Sequence, residues 1–407
     1  MTGWAGVRMT DNFVANQRPK NWREGTLLLF PNGMAPLYAL SAGAKSESTD
    51  DPEYNWWEKA MLSQRIAIAT DLLDGTTITL PANAARDAGW RVGDIILVEE
   101  TGELMRCEAP NATSTTATVE RGLGAVGKTT VDFDGAAVNP NLVIVGSQFE
   151  ENSAAPVGAS LNPVKKVNYT QIFRTTFEAS RTAIKSRLRT GDAVREAKRE
   201  VLQYHSAAIE KAFFWGEAEE TTVGGEVARR TGGVYEFIGA GNTHDFAGDV
   251  QWDTLLPQLE KAFRFGSSQK FAFCGNLALL SIQEAIRLAN GTTVNIMHGD
   301  KAFGMDVTRL MTPFGELVLK THPLFNQQTS VLTGAQTYRA WDGFCTIIDM
   351  ENVRYRYLKD SDTQYQPKLQ DNGLDGIRSG YLSEVGLELH HPDTHFDLRG
   401  MTAGSAG

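Results

Sequence analysis

The chain has 407 residues and a formal net charge of -10, with 42% hydrophobic and 22% charged residues, an ordinary globular balance that can bury a sizeable core. That acidity opposes long-range attraction to nucleic acid, and no apolar run approaches the roughly 20 residues needed to span a bilayer. Cys107, Cys274 and Cys345 stand far apart without a C-x-x-C pair, so neither a thiolate zinc knuckle nor a disulfide framework is expected, and a reducing cytosol fits best.

The N-terminal stretch MTGWAGVRMTDNFVANQRPKNW lacks the apolar core of a secretion signal. The first forty or so residues carry isolated Trp4 and Trp22, prolines and no sustained period. Such a segment cannot form its own core and is expected to lie as an extended arm on a neighbouring surface. From residue 76 to 146 five short runs follow, TTITL, DIILVEE, ELMRCEA, TATVE and NLVIVG, separated by turn residues. They predict a small β module, a barrel or a sandwich.

Within that module GLGAVGKT, Gly122 to Thr129, matches the phosphate-cradling pattern G-x-x-x-x-G-K-[ST]. A working site there would make the chain an NTPase with Lys128 on the outer phosphates. TATVE supplies the incoming strand. The outgoing TTVDFDGAAVNPN has β-branched residues, Asp134-Gly135 and Pro140 where a phosphate loop needs a helix N-terminus, so it reads as a hairpin tip. Asp349, ending the apolar run in TIIDME, is a candidate partner carboxylate, but it lies far along the chain in a segment whose strands continue past it.

VKKVNYTQIF alternates like a strand and hands over to helix. GDAVREAKREVLQYHSAAIEKAFFWG predicts the longest helix, with Asp192 as N-cap, a seam of Val194, Ala197, Val201, Tyr204, Ala208 and Ala212, and a stop at Gly216. WDTLLPQLEKAFRFG and NLALLSIQEAIRLAN, with Asn276 as N-cap, read as helices around the strand KFAFCG. FGELVLKTHPLF, TSVLTGA, CTIIDM, VRYRYL and LSEVGLELHH read as strands of an antiparallel or mixed sheet.

A search for chemistry yields no coherent active site and no cofactor. HHPDTH offers His391, Asp393 and His395 as metal ligands, but Pro392 prevents helical i,i+4 presentation. His205 reads as a packing or surface residue. No G-x-S-x-G elbow occurs, and Glu219 with Glu220, like Asp50 with Asp51, sits in a polar, loop-like stretch. Charge is uneven, however. Residues 164 to 200 hold ten basic side chains against four acidic ones, whereas ESTDDPEYNWWE, residues 47 to 58, has five acids and no base. These are either two solvated surfaces or two halves of a subunit contact.

PNGMAPLYALSAGAKSE followed by YNWWEKAM, EENSAAP followed by VNYTQIF, the long helix, and DMENVRYRYLKDSDTQYQPKLQDNGLDGIRSGYLSEVGLEL together resemble, in that order, the major capsid protein of tailed bacteriophages. The resemblance covers most of the chain. It implies an α+β fold of the Hong Kong ninety-seven type, or Johnson fold: an N-terminal arm (1–42), an extended loop (43–75 and 147–176) holding the β module (76–146), a peripheral domain (177–234 and 346–400) with its spine helix (192–215), an axial domain (235–345) and a flexible tail (401–407). It further implies a non-enzymatic shell subunit. Copies would form the hexamers and pentamers of an icosahedral virion head around double-stranded DNA, assembled in the host cytoplasm with portal and scaffolding proteins and room for a decoration protein. An encapsulin-type compartment is the alternative shell. No cross-linking pair is identified. On this reading Glu47, Asp50, Asp51, Glu53 and Glu58 approach Lys165, Lys166, Arg174, Arg181, Lys185, Arg187 and Arg189 of another subunit; the competing expectation turns the basic segment toward packaged DNA.

Overall fold

A computed structural model describes residues 35–59, 62–68, 76–110, 115–124, 141–156, 158, 160, 162–186, 192–288, 296–302, 305–326 and 341–402. The chain divides into two compact units, Trp56–Lys166 and the two flanking segments taken together.

Pro36–Ala44 forms helix α1, the first correction to the sequence reading, which took this stretch as extended arm. Pro36 opens the helix with the fixed φ that suits its first turn. Leu37 and Leu40 are buried, and this packing makes a nine-residue helix stable that propensity alone would leave marginal. Strands β1 (Ser46–Thr49) and β2 (Glu53–Glu58) follow.

The Trp56–Lys166 unit holds β3 (Arg65–Ala67), β4 (Thr77–Thr79), helix α2 (Ala84–Ala88), β5 (Asp94–Val98), β6 (Leu104–Pro110), β7 (Thr116–Glu120) and β8 (Asn141–Ser147). Among the described residues these six strands make one antiparallel sheet in the order β3-β8-β5-β6-β7-β4. Alternation explains its core: Ile96, Val98, Met105, Cys107, Ala117, Val119 and Leu142 all turn to one buried cluster. Glu103 and Arg121, both nearly inaccessible, close a bidentate pair at 2.9 and 2.8 Å.

Strand β9 (Val164–Tyr169), whose residues fall on both sides of the unit boundary at Lys166, pairs with β2, and in the other unit β10 (Gln171–Ser180) leads into the short helix α3 (Arg181–Lys185). Helix α4, Ala193–Trp215, has Asp192 as its N-cap, its carboxylate accepting from Val194 N at 2.9 Å. It ends at Gly216, where any Cβ would lie 2.3 Å from Thr231 O and 2.4 Å from Ala212 O. The glycine is needed there for close approach; its φ is -65°, outside the left-handed region.

The order continues with hairpin β11 (Glu219–Val223) and β12 (Glu226–Arg230), helix α5 (Val234–Phe237), β13 (Thr243–Asp249), α6 (Trp252–Phe263), β14 (Gln269–Cys274), α7 (Asn276–Leu288), β15 (Ile296–Ala302), β16 (Met305–Thr312) and β17 (Gly315–Thr321). It closes with β18 (Cys345–Ile348), β19 (Val353–Leu358), β20 (Gln364–Gln366), β21 (Gly376–Leu389) and β22 (Phe396–Thr402). Among the described residues two mixed sheets result: β13-β22-β18-β14-β17-β16-β15, and β1-β19-β21-β10 with β20 also paired to β21. Leu37, Ile209, Phe213, Phe214, Phe273, Val318, Tyr355 and Leu387 share one core, so α1, α4 and strands of both sheets are tied together. TSVLTGA lies outside the described residues.

Asn276, expected as the N-cap, is the first residue of α7, and its Oδ1 accepts from Asn326 Nδ2 at 3.0 Å. Its amide donates to Asn326 Oδ1 at 2.7 Å, Leu277 N donates to Asp342 Oδ1 at 3.2 Å, and Ala278 N donates to Asp342 O at 2.9 Å. The cap is tertiary, supplied from fifty or more residues along the chain.

Candidate assembly interface

Parallel pairing of β1 with β19 sets Glu47 opposite Arg356. The Glu47 carboxylate lies 2.8 Å from a terminal nitrogen of Arg356 and 3.7 Å from Arg354 Nε. Arg356 also binds the buried Glu388, which His390 contacts on its other oxygen. Burial opposes charge on Glu388, but hydrogen bonds from His390 and Arg356 outweigh it and hold the carboxyl below its ordinary range. Asp50 is almost wholly exposed and only 4.0 Å from Lys359, a distance at which an exposed pair contributes little. Asp51 accepts from Glu53 N at 2.9 Å, shaping the turn into β2, and Glu58 accepts from Trp56 Nε1 at 2.9 Å.

On the basic side, Arg174 stands with Ile172 on the exposed face of β10 while Phe173 and Phe177 turn inward. Lys165 is exposed and Lys166 half-buried on β9, and Lys185 is exposed at the end of α3. Arg181 pairs with Asp375 at 2.8 Å, both highly exposed. Arg187 and Arg189 lie outside the described residues. The acidic β1 and the basic β10 are opposite edges of one sheet with two strands between them, so Glu47 and Arg174 lie about 14 Å apart at ~4.8 Å per strand, whereas β2, bearing Glu53 and Glu58, pairs with β9, bearing Lys165 and Lys166, within the same chain.

The other sequence candidates separate. His395 is buried; its Nδ1 accepts from Asp349 N at 3.2 Å and its Nε2 donates to His390 O at 3.2 Å, so both ring nitrogens are occupied. His391 adopts a left-handed φ of 48° at the turn, and Asp393 accepts weakly from Asn242. Glu219 and Glu220, read as loop residues, face Arg230 and Arg229 across the β11–β12 hairpin. Of the phosphate-loop pattern, residues 125–129 lie outside the described residues. Leu123 N donates to Leu104 O, and β7, which leads into the pattern, is antiparallel to both its neighbours, unlike the parallel strand of a phosphate-binding βα unit. Asp349 caps a 3-10 turn and binds Ser267 through both oxygens.

Sequence reasoning missed three buried groups. Glu210 on α4 accepts from Leu37 N at 2.9 Å, Tyr38 N at 2.7 Å and His322 Nε2 at 2.7 Å; His322 Nδ1 accepts from Leu324 N, which fixes the proton on Nε2. Lys270 donates to Ala262 O, Phe265 O and Thr394 O at 2.6, 2.7 and 2.6 Å. Cys274 and Cys345 face each other across β14 and β18. No local signal marks Glu210 or the cysteine pair, because their partners are supplied by the tertiary fold; Lys270 takes two of its three carbonyls from Ala262 and Phe265 just before it, but the third, Thr394 O, lies far along the chain.

His395 carries a pH prediction. Burial, aided by the nearby charges of Lys270 and His390, outweighs the His390 carbonyl and Asp349 and lowers its pKa from 6.5 to about 4. Between those values the unfolded chain binds a proton that the folded chain refuses. Stability from this group is therefore complete above pH 6.5 and lost on acidification toward pH 4, by at most about 3 kcal/mol. His395→Gln, which retains one donor and one acceptor, should flatten the urea-midpoint profile of the subunit between pH 6.5 and 4; an unchanged slope would refute the assignment.

Comparison with known proteins places the chain among viral shell proteins. Residues 9–402 match the family described as SU10 major capsid protein. The chain belongs to that family. It is 26% identical over 423 residues to the major capsid protein of Pseudomonas phage PaMx41, covering 96% of this chain and 94% of that one. Solved structures similar to it include the Microbacterium phage Oxtober96 particle (11% identity, TM-score 0.43, 95% and 96% of the two chains). Others are the capsid of a native GTA particle (8%, 0.42, 95% and 95%) and the SrpI encapsulin of Synechococcus elongatus PCC 7942 (11%, 0.41, 61% and 78%).

Proposed function

We propose that copies of this chain assemble through Hong Kong ninety-seven type contacts into the hexamers and pentamers of an icosahedral head that encloses double-stranded DNA, with portal, scaffolding and decoration proteins as partners. The family match over residues 9–402 is the observation that carries this reading. The edges of the β1-to-β10 sheet support it. One chain keeps the β1 and β10 edges apart, although its β2 and β9 already pair; a head-to-tail neighbour can bring β1 to β10, and such contacts close into rings where the rotation between neighbours permits. Exposed Ile172, Val223 and Val227 add apolar surface on edge and hairpin strands, where an isolated protein would be prone to pair with another chain. Because Glu47 is already held by Arg356, the contact falls chiefly on Asp50 and Asp51 against Arg174 and Lys185, with Glu53, Glu58, Lys165, Lys166, Arg181, Arg187 and Arg189 around it.

Electron microscopy of the chain expressed alone and with a scaffolding protein tests the shell. Closed particles or capsomer rings are expected, and small discrete particles under both conditions would overturn it. Asp50→Lys with Asp51→Lys should lower particle yield at least several-fold, and adding Arg174→Glu with Lys185→Glu should restore part of it. Full yield from the acidic-side variant, or no recovery on combination, would exclude this pairing. The wild-type contact should also weaken as salt rises above about 0.15 M, where the Debye length falls to about 8 Å.

A further inference from the structure

Cys274 and Cys345 are fully buried, and their sulfurs lie 3.0 Å apart as thiols. They are direct partners in the antiparallel pairing of β14 with β18. Gly275 N donates to Phe344 O on the adjoining pair, which makes Cys274 and Cys345 a non-hydrogen-bonded pair. At such positions the Cα atoms are about 4.5 Å apart and the side chains approach closely, within the ~4.4–6.8 Å that a disulfide spans. The pair therefore needs little or no backbone movement to be bridged.

We propose that Cys274 and Cys345 form an oxidative modification site in which hydrogen peroxide converts the two thiols into a disulfide stapling β14 to β18. One sulfur attacks the peroxide, forming an S–O bond and breaking the O–O bond, and its thiol proton leaves with the departing oxygen as water. The second sulfur then attacks the sulfenic sulfur, forming S–S and breaking S–O, and its proton leaves with the hydroxyl as a second water. Two electrons pass from the sulfurs to the peroxide. The hydrogen bond with Cys274, together with burial, pushes the Cys345 thiol well above its ordinary range, so thiolate is scarce and the reaction is slow, favouring a small uncharged oxidant. Cys107 is buried in the Trp56–Lys166 unit, its thiol pushed up to about 12, and belongs to a different core.

The bridge would close a loop of about 70 residues holding α7 and β15–β17, constraining the unfolded chain strongly. If the chain forms a virion shell, such a staple forms after release from a reducing cell. The test does not depend on assembly. Purified protein is exposed to hydrogen peroxide at pH 8 for hours, its remaining thiols alkylated in denaturant, and the unreduced digest read by mass spectrometry. One linked peptide containing Cys274 and Cys345, two hydrogens lighter than its parts, is expected in wild type and in Cys107→Ser, with a melting temperature raised by roughly 5 °C. Cys345→Ala should lack the link. Recovery of Cys274 and Cys345 as unlinked thiols or sulfinic acids would overturn the proposal, as would linkage to Cys107 or between subunits, provided peptides from a denatured sample oxidise in the same peroxide.

Discussion

Glu210→Ala is expected to destabilise the subunit by roughly 4 kcal/mol, a large share of the 5–15 kcal/mol that holds a typical protein folded. Three donors converge on this carboxyl group: the amides of Leu37 and Tyr38 and Nε2 of His322. The two amides belong to the first turn of α1, where no intrahelical acceptor exists, and an acidic group there also meets the positive end of the helix dipole. Removing it strands buried donors at about 1–3 kcal/mol each, with some relief if water enters. His322 stacks on Phe325 at a centroid distance of 4.5 Å and meets Phe214 edge-on, so it has little room to find another acceptor. Glu210→Gln should cost less than alanine but not be neutral, because its amide nitrogen must face one of the three donors. Denaturant unfolding gives the magnitude, and amide exchange gives the location. Protection should fall first at Leu37 and Tyr38; unchanged protection there would show that α1 is held by Leu37 and Leu40 packing alone.

The same helix shows how far sequence reaches. Its N-cap, length and terminal glycine are local: Asp192 bonds its own second residue and Gly216 stops the last turn. Its orientation is not local. The predicted seam holds at Val194, Ala197, Val201 and Ala212, which pack on buried clusters, but Tyr204, 57% exposed, and Ala208 point to solvent, while His205 and Glu210 are buried and Phe213 and Phe214 are inaccessible. Hydrophobic periodicity ranks His and Glu as outward residues. Here, His205 is held between Thr175 and Ser383, and Glu210 between α1 and His322. Those partners lie 30 to 178 residues away, so no window-based reading contains them. The opposing charges were legible as composition, but their placement on opposite edges of one sheet required the β1–β19–β21–β10 order. Parallel addition of β1 to β19 has no hairpin signature, since its two strands are separated by most of the chain.

Lys270→Met is expected to cost about 3 kcal/mol at neutral pH and more in alkali. The side chain is inaccessible, and its three ammonium hydrogens match three carbonyls, Ala262 O, Phe265 O and Thr394 O. Ala262 and Phe265 lie at the C-terminal end of α6, where carbonyls lack helical partners and a cation is favoured. Methionine fills similar volume but withdraws every donor, and each hydrogen bond to a charged group contributes about 1.5–3 kcal/mol net. Part of that loss is offset, because burial opposes the charge and lowers the Lys270 pKa to about 8 despite the favourable pull of Asp349. Below pH 8 both folded and unfolded chains carry the proton. From pH 8 to about 10.5 the folded chain releases it first, so the wild-type contribution rises with pH, by up to about 3 kcal/mol. Methionine cannot follow. The gap between wild type and variant in urea midpoint should therefore widen from pH 7 to pH 10. A gap that stayed constant would mean that Lys270 titrates normally, and one that closed would mean that the three carbonyls raise its pKa above the ordinary value instead of burial lowering it.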